Sequence, residues 1–190
     1  MNSNLIRHIG KYISLENSDI DVINTYFKSQ KLKNKEMVLQ EGQVCKSYYF
    51  VDSGCLRMYF NNNKGTEQII QFALENWWIT DYFSFADQKP AEYNIQAIEK
   101  TTASYIDYLS YNKLLKEVPV LETYFRIIAQ RELAASQKRL KLIFDLSKED
   151  MYLHFSTSFP QFIQRIPQYM LASFLGITPE YLSEIRKKNL

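Results

Sequence analysis

From Pro119 to Leu146 the chain contains no glycine and no internal proline, and its apolar side chains fall at alternating three- and four-residue steps. Leu121, Phe125, Ile128, Ala135, Leu142 and Leu146 form that stripe, with Glu132 and Arg139 as its polar exceptions. The spacing predicts one helix over 119–146. At about 1.5 Å per residue such a rod extends ~42 Å, further than a small domain is wide. Either two domains share it as a core element, or a second copy packs on it across a two-fold axis. The second arrangement is expected, because a symmetric partner buries the overhang. Leu121, Phe125, Ile128, Ala135 and Leu142 are the expected dimer face.

The residues before the rod change character twice. Leu5, Ile6 and Ile9 mark one short helix, and Ile20, Ile23 and Phe27 a second, with Ser18 or Asp19 as its expected N-cap. From about residue 31 to 108 the pattern becomes short β-branched and aromatic runs: "EMVLQEG", "SYYFVDSG", "CLRMYFNNNKG", "TEQIIQFA" and "ASYIDYLS". Fourteen tyrosines and twelve phenylalanines suit such a β-rich portion. Gly42, Gly54 and Gly65 close successive runs, and Asn61-Asn62-Asn63-Lys64-Gly65 predicts a hairpin connection. Strands so short and so regularly punctuated predict a small roll or sandwich, with "ADQKPAEY" (86–93) as a surface loop.

Beyond the rod, Ser147 is placed to cap a helix over roughly 148–158, "FPQFIQRIP" reads as an extended connector, and two short helices follow at 168–174 and 179–187. In "LASFLGITPEYLSEIRKK" small Ala172 permits close approach, Gly176 makes the turn, and Leu171, Leu175, Ile177, Leu182 and Ile185 lock the pair. Thr178 caps the second helix and Pro179 takes its favoured first position. Glu180, Tyr181, Ser183, Glu184, Arg186, Lys187 and Lys188 remain outward, residue types that suit phosphates and base edges. Thr178 joins that contact set, and Gln168 and Tyr169, opening the preceding helix, are expected phosphate contacts. The alternative is an ordinary helical hairpin whose terminal cations complement its own dipole.

Charge adds a little. Residues 1–118 hold 13 Lys/Arg against 14 Asp/Glu, and residues 119–190 hold 10 against 7, so the basic excess lies in the helical part of a chain with net charge +2. Cys45 and Cys55 are the only cysteines and His8 and His154 are isolated, so neither a disulfide framework, a metal site nor a cofactor is expected. "NNNKGT" lacks the first glycine of a phosphate loop and no nucleophile elbow occurs; no catalytic residue is named and no enzyme is expected. "MNSNLIRHIGKY" has no signal-type apolar core, and no run approaches the roughly 20 apolar residues of a membrane span. A soluble, cytoplasmic protein is expected.

The order of modules resembles the Crp–Fnr superfamily of transcription regulators. "YYFVDSGCLRMYF" is similar to the strand–Gly–strand signature of the family's cyclic-nucleotide-binding-type roll, and "LASFLGITPEYLSEIRKK" to its DNA-binding helices. The resemblance implies a homodimer joined along the long helix, with paired recognition helices in successive major grooves of a near-palindromic site. It also implies where an effector would sit. Nucleotide-binding members carry a Gly-Glu pair for the ribose and an Arg-Ser/Thr-Ala run for the cyclic phosphate. Here Thr80-Asp81 and Ala91-Glu92-Tyr93 stand at those places, so the phosphate-binding cation is missing and Glu92 adds a repulsive charge. Lys89 is a flexible point charge rather than an equivalent fork. Trp78, Asp81, Tyr82, Tyr93, Ser136 and Gln137 are the candidate pocket, without tight cyclic-AMP binding. The aromatics Trp77, Trp78, Tyr82, Phe83 and Phe85 either line a site for an apolar effector or plug the roll against the long helix.

Other sensors of the family fit less well. An iron–sulfur type needs an N-terminal cysteine cluster, and a haem type needs a histidine in the roll. The family's recognition helix opens on Arg-Glu with a second Arg a turn later; Pro179-Glu180 and Glu184 stand here, implying a different target. The wing is expected to be reduced, with "FIQRIP" its remnant.

The expected fold is α+β: an antiparallel, jelly-roll-like β-roll with flanking helices over 1–118, a long dimerisation helix over 119–146, and a helix-turn-helix domain over 147–190. The expected function is sequence-specific DNA binding and transcription regulation as a homodimer with a degenerate effector domain. Duplex DNA is the partner, with RNA polymerase if the protein is an activator, and any effector is unknown. The alternative is a ligand-binding or protein-interaction roll whose last helices do not read DNA.

Overall fold

The computed structural model describes residues 3–188. The first helices are α1 (Ser3–Ile9) and α2 (Asn17–Tyr26). Strands β1 (Lys28–Leu32), β2 (Met37–Leu39), β3 (Ser47–Ser53), β4 (Leu56–Asn61), β5 (Glu67–Ala73) and β6 (Trp78–Ile79) follow. Then come α3 (Tyr82–Asp87), β7 (Asn94–Ala97), β8 (Thr101–Asp107) and α4 (Tyr108–Glu117). The chain continues with the rod α5 (Val120–Asp145), then α6 (Lys148–Ser158), α7 (Pro160–Arg165), α8 (Gln168–Leu175) and α9 (Pro179–Lys188). Two four-stranded sheets, ordered β1-β8-β3-β6 and β2-β7-β4-β5, form the expected antiparallel roll.

Two compact units emerge. One comprises the residues up to Phe60 together with Gln71–Ala129; the other comprises Asn61–Ile70 and the residues from Gln130 onward. The division falls inside the rod, and the tip of the β4–β5 hairpin belongs with the C-terminal helices.

In the roll unit the close approach of strands dictates a glycine at Gly54. Its φ is +97°, and a Cβ there would lie 2.5 Å from Thr101 Oγ1 and 2.7 Å from the Lys100 carbonyl. The core gathers aromatics from sheet and helices. Trp78 lies 4.5 Å from Tyr48, 5.3 Å from Phe50 and 5.4 Å from Phe125 between ring centroids. Trp78 Nε1 donates to the Tyr124 hydroxyl at 2.8 Å, and His8 Nδ1 stands 2.8 Å from the same hydroxyl. Each polar atom of this buried knot is thereby satisfied.

The sequence reading missed β1, β6 and β7. β1, "KSQKL", is a sheet edge that buries only Leu32, so it carries no alternating apolar signal. β6 has two residues and β7 four, too few for a period. The α2 start also moves: the helix begins at Asn17, and Asp19 stands one turn in, where its Oδ2 accepts from the Glu16 backbone N–H at 3.0 Å.

In the second unit, Phe155 gathers Phe159, Phe162 and Phe174 at ring distances of 5.3, 5.4 and 5.5 Å. The expected extended connector is instead α7. Pro160 opens it, because a proline without an N–H is tolerated in the first turn, while Pro167 forces Ile166 to an extended ψ of 128° and ends it. "FIQRIP" is therefore no wing remnant; most of it is helix.

Candidate nucleic-acid interface and effector corner

α8 and α9 form the terminal pair. Gly176, at φ +68° and ψ +39°, closes α8 in the left-handed conformation, and the Ile177 N–H returns to the Ala172 carbonyl at 3.0 Å. Thr178 Oγ1 accepts the Tyr181 N–H at 3.2 Å and so caps α9. Leu171, Ala172, Leu175, Leu182 and Ile185 are buried between the helices and their neighbours. The opposite side of α9 is open: Thr178, Glu180, Tyr181, Glu184, Lys187 and Lys188 are exposed, and Ser183 and Arg186 half-exposed. Gln168 and Tyr169 are exposed at the start of α8. All ten expected contact residues thus present themselves on one helix pair with a cationic end.

The candidate effector corner lies in the roll unit. Asp81 is 3% exposed, and both carboxylate oxygens are engaged: Oδ1 accepts from the Ser84 N–H at 3.0 Å and Oδ2 from the Glu92 N–H at 3.2 Å. It caps α3 and ties down the following loop. Burial, and then the charges of Glu92 and Asp81, push the Tyr93 phenol above its usual range. The corner is negative. Lys89 does not correct this: its ammonium sits 3.3 Å from Asp87 and 5.7 Å from the Phe83 ring. Trp78 and Phe85 are buried in the aromatic knot, whereas Trp77, Tyr82 and Phe83 are exposed. Ser136 and Gln137 belong to the other unit and are exposed on α5.

The rod divides its apolar residues. Leu121, Phe125 and Ile128, expected at a dimer face, are at most 7% exposed in the roll core, as is Tyr124. Ala135 is exposed and Leu142 half-buried. The open apolar residues are others: Leu133, Leu140, Ile143 and Phe144, exposed by 60%, 55%, 39% and 82%. Leu133, Leu140 and Phe144, seven and four residues apart, share one helix face. Their spacing is present in the sequence beside the more continuous stripe, of which the roll buries Leu121, Phe125 and Ile128.

Sequence reading also missed what holds the helix pair in place. The carbonyls ending α8 are taken by side chains: Ser173 O by Gln68, Phe174 O by Arg139 at 2.8 Å, and Leu175 O by Lys148 at 3.5 Å. Arg139 as a polar break in an apolar stripe was the available signal.

A roll, a long helix and a terminal helix pair, in this order, recur in known proteins. The cyclic nucleotide-binding domain family matches residues 29–118. The transcriptional activator protein Anr of Pseudomonas protegens is 23% identical over 91% of this chain and 75% of its own length. Among solved structures, FixK2 from Bradyrhizobium japonicum superposes with a TM-score of 0.70 at 16% identity, covering 85% of this chain and 83% of that one. The c-di-GMP-responsive global regulator CLP of Xanthomonas campestris gives 0.73 at 15% identity, covering 91% of each chain. Over most of its length the chain is thus similar to transcription regulators of the Crp–Fnr type. No helix among the described residues is long and apolar enough to cross a membrane.

Proposed function

We propose that the protein is a cytoplasmic, sequence-specific DNA-binding regulator that works as a homodimer, with α9 as its reading helix. The open side of α9 carries the reading: a capped helix shows Glu180, Tyr181 and Glu184 beside Arg186, Lys187 and Lys188, while Leu182 and Ile185 anchor its other side. Glu180 and Glu184 suit cytosine amino groups, and the terminal cations suit phosphates or guanine edges. The exposed stripe Leu133–Leu140–Phe144 supports pairing with a second copy, which would set two reading helices about 34 Å apart on a near-palindromic site. A contact with RNA polymerase follows if the protein activates.

The roll is proposed to have lost tight cyclic-nucleotide binding. Asp81 is already spent on two backbone N–H groups, and a negative corner stands where a cyclic phosphate would need a cation. Cyclic AMP is expected to leave the melting temperature unchanged, whereas tight binding at saturation would raise stability by several kcal/mol and refute this half of the reading.

For the DNA half, Arg186→Glu with Lys187→Glu should weaken duplex binding in gel shifts. It should also flatten the salt dependence by about one unit of slope for each phosphate that is no longer neutralised. An unchanged slope would remove these residues from the interface. Stable capture of another protein without any duplex binding would favour a protein-interaction module.

A further inference from the structure

We propose that Arg139 is a positioning residue for DNA reading: it fastens the end of α8 to the edge of β5 and thereby fixes how α9 is presented. The inference rests on the DNA-reading function proposed above. Arg139 stands about three-quarters of the way along α5, and its guanidinium is used on three sides. Nη1 donates to the Ile70 carbonyl, Nη2 donates to the Phe174 carbonyl at 2.8 Å, and Cζ lies 3.8 Å from the Phe174 ring centroid. Burial draws its pKa down to about 10, which leaves it charged at neutral pH.

Ser173 completes the joint. Its Oγ donates to the Glu67 carbonyl at 2.7 Å and accepts the Ile69 N–H at 3.0 Å, while Gln68 donates to the Ser173 carbonyl. β5 is the outer strand of its sheet, so these bonds satisfy backbone groups that an open edge would leave to water. Holding two carbonyls from different segments while stacking on a ring needs a flat, forked cation, and lysine cannot replace it. The joint engages the C-terminal end of α8 and leaves the reading side of α9 open. It therefore supports reading rather than blocking it. Only the turn Gly176–Thr178 separates α8 from α9, so a tilt of one is passed to the other.

The test uses the full chain and a fluorescein-labelled duplex recovered from a random pool by the wild-type protein. Arg139→Met keeps the apolar stem and removes the fork; Ser173→Ala removes only the hydroxyl. By fluorescence anisotropy, Arg139→Met should weaken binding about tenfold and Ser173→Ala roughly threefold, with the salt slope of the wild type. Arg139→Lys should lie nearer Arg139→Met than the wild type. In hydrogen exchange the Ile69 amide should lose protection in both Arg139→Met and Ser173→Ala, while Ile106 on β8 keeps it. Unchanged affinity in both variants overturns the proposal. So does tighter binding, which would make the joint a brake, or a slope lowered by about one, which would make Arg139 a phosphate contact. A wild type that selects no duplex refutes the DNA reading itself; a wild type that binds while Arg139→Met and Ser173→Ala bind equally well refutes the positioning role alone.

Discussion

The two halves of α5 are one continuous helix with opposite uses for apolar side chains. Before Ala129, Leu121, Tyr124, Phe125 and Ile128 are sealed among Trp78, Tyr48 and the other aromatics of the roll. After it, Leu133, Leu140, Ile143 and Phe144 are exposed, and the half-exposed Arg139 is tied to backbone carbonyls. A helix of 26 residues outruns the core of one small unit, so burial stops before the helix does. What is sealed in the first half is left open in the second.

That contrast can be broken most forcefully at Trp78. Trp78→Ala should destabilise the fold by about 4 kcal/mol in urea titrations, through a large cavity and the loss of the bond that Trp78 Nε1 donates to the Tyr124 hydroxyl. Phe144→Ala, measured at a concentration that keeps the chain monomeric, should cost less than about 0.5 kcal/mol. Equal costs would end the distinction between the halves. Leu140→Lys with Phe144→Lys should weaken self-association by roughly a hundredfold in sedimentation experiments, as expected for charges placed at an interface core. Association unaffected by both charges would mean that the open stripe is not the interface.

Two smaller effects sharpen the roll side of the comparison. Asp81→Ala should cost about 2 kcal/mol, since it removes a helix cap and strands a loop N–H; a neutral result would free the carboxylate for a ligand. Asp107 caps α4. Its partial desolvation alone would raise its pKa, but bonds from the Ser110 N–H and hydroxyl outweigh this and hold it below 3.8. A depressed carboxylate contributes stability above its unfolded pKa and loses it as pH falls through the folded value. The stability gap between wild type and Asp107→Asn should therefore be constant near neutrality and shrink below about pH 3.8. A gap that widens on acidification contradicts the assignment.

Much of the architecture was readable because it is written in local patterns. Glycine punctuation gave the longer strands, an unbroken 3.6-residue period gave α5, and Thr178-Pro179 with Gly176 gave the last two helices nearly to the residue. β1 was illegible because a polar edge strand has no inward face to repeat. α7 was misread because the prolines of "FPQFIQRIP" suggest an extended chain, although Pro160 sits where a helix tolerates one. The exposed side of α9 was legible, since it is what remains when the apolar residues of a short helix are assigned inward. The joint around Arg139 was not, because it depends on bonds between residues 67–70 and 173–174 that no local window contains. The expected dimer face was misplaced for a related reason: the longest apolar stripe of α5 looks intermolecular in sequence, whereas the chain's own roll claims Leu121, Phe125 and Ile128.

A selection from random duplexes with the full-length protein tests the central claim most directly. A two-fold-related pair of half-sites spaced by about one helical turn should be enriched, and that enrichment should vanish in Leu140→Lys with Phe144→Lys. A single unpaired half-site, equally enriched by both proteins, or a pool with no enrichment would contradict it.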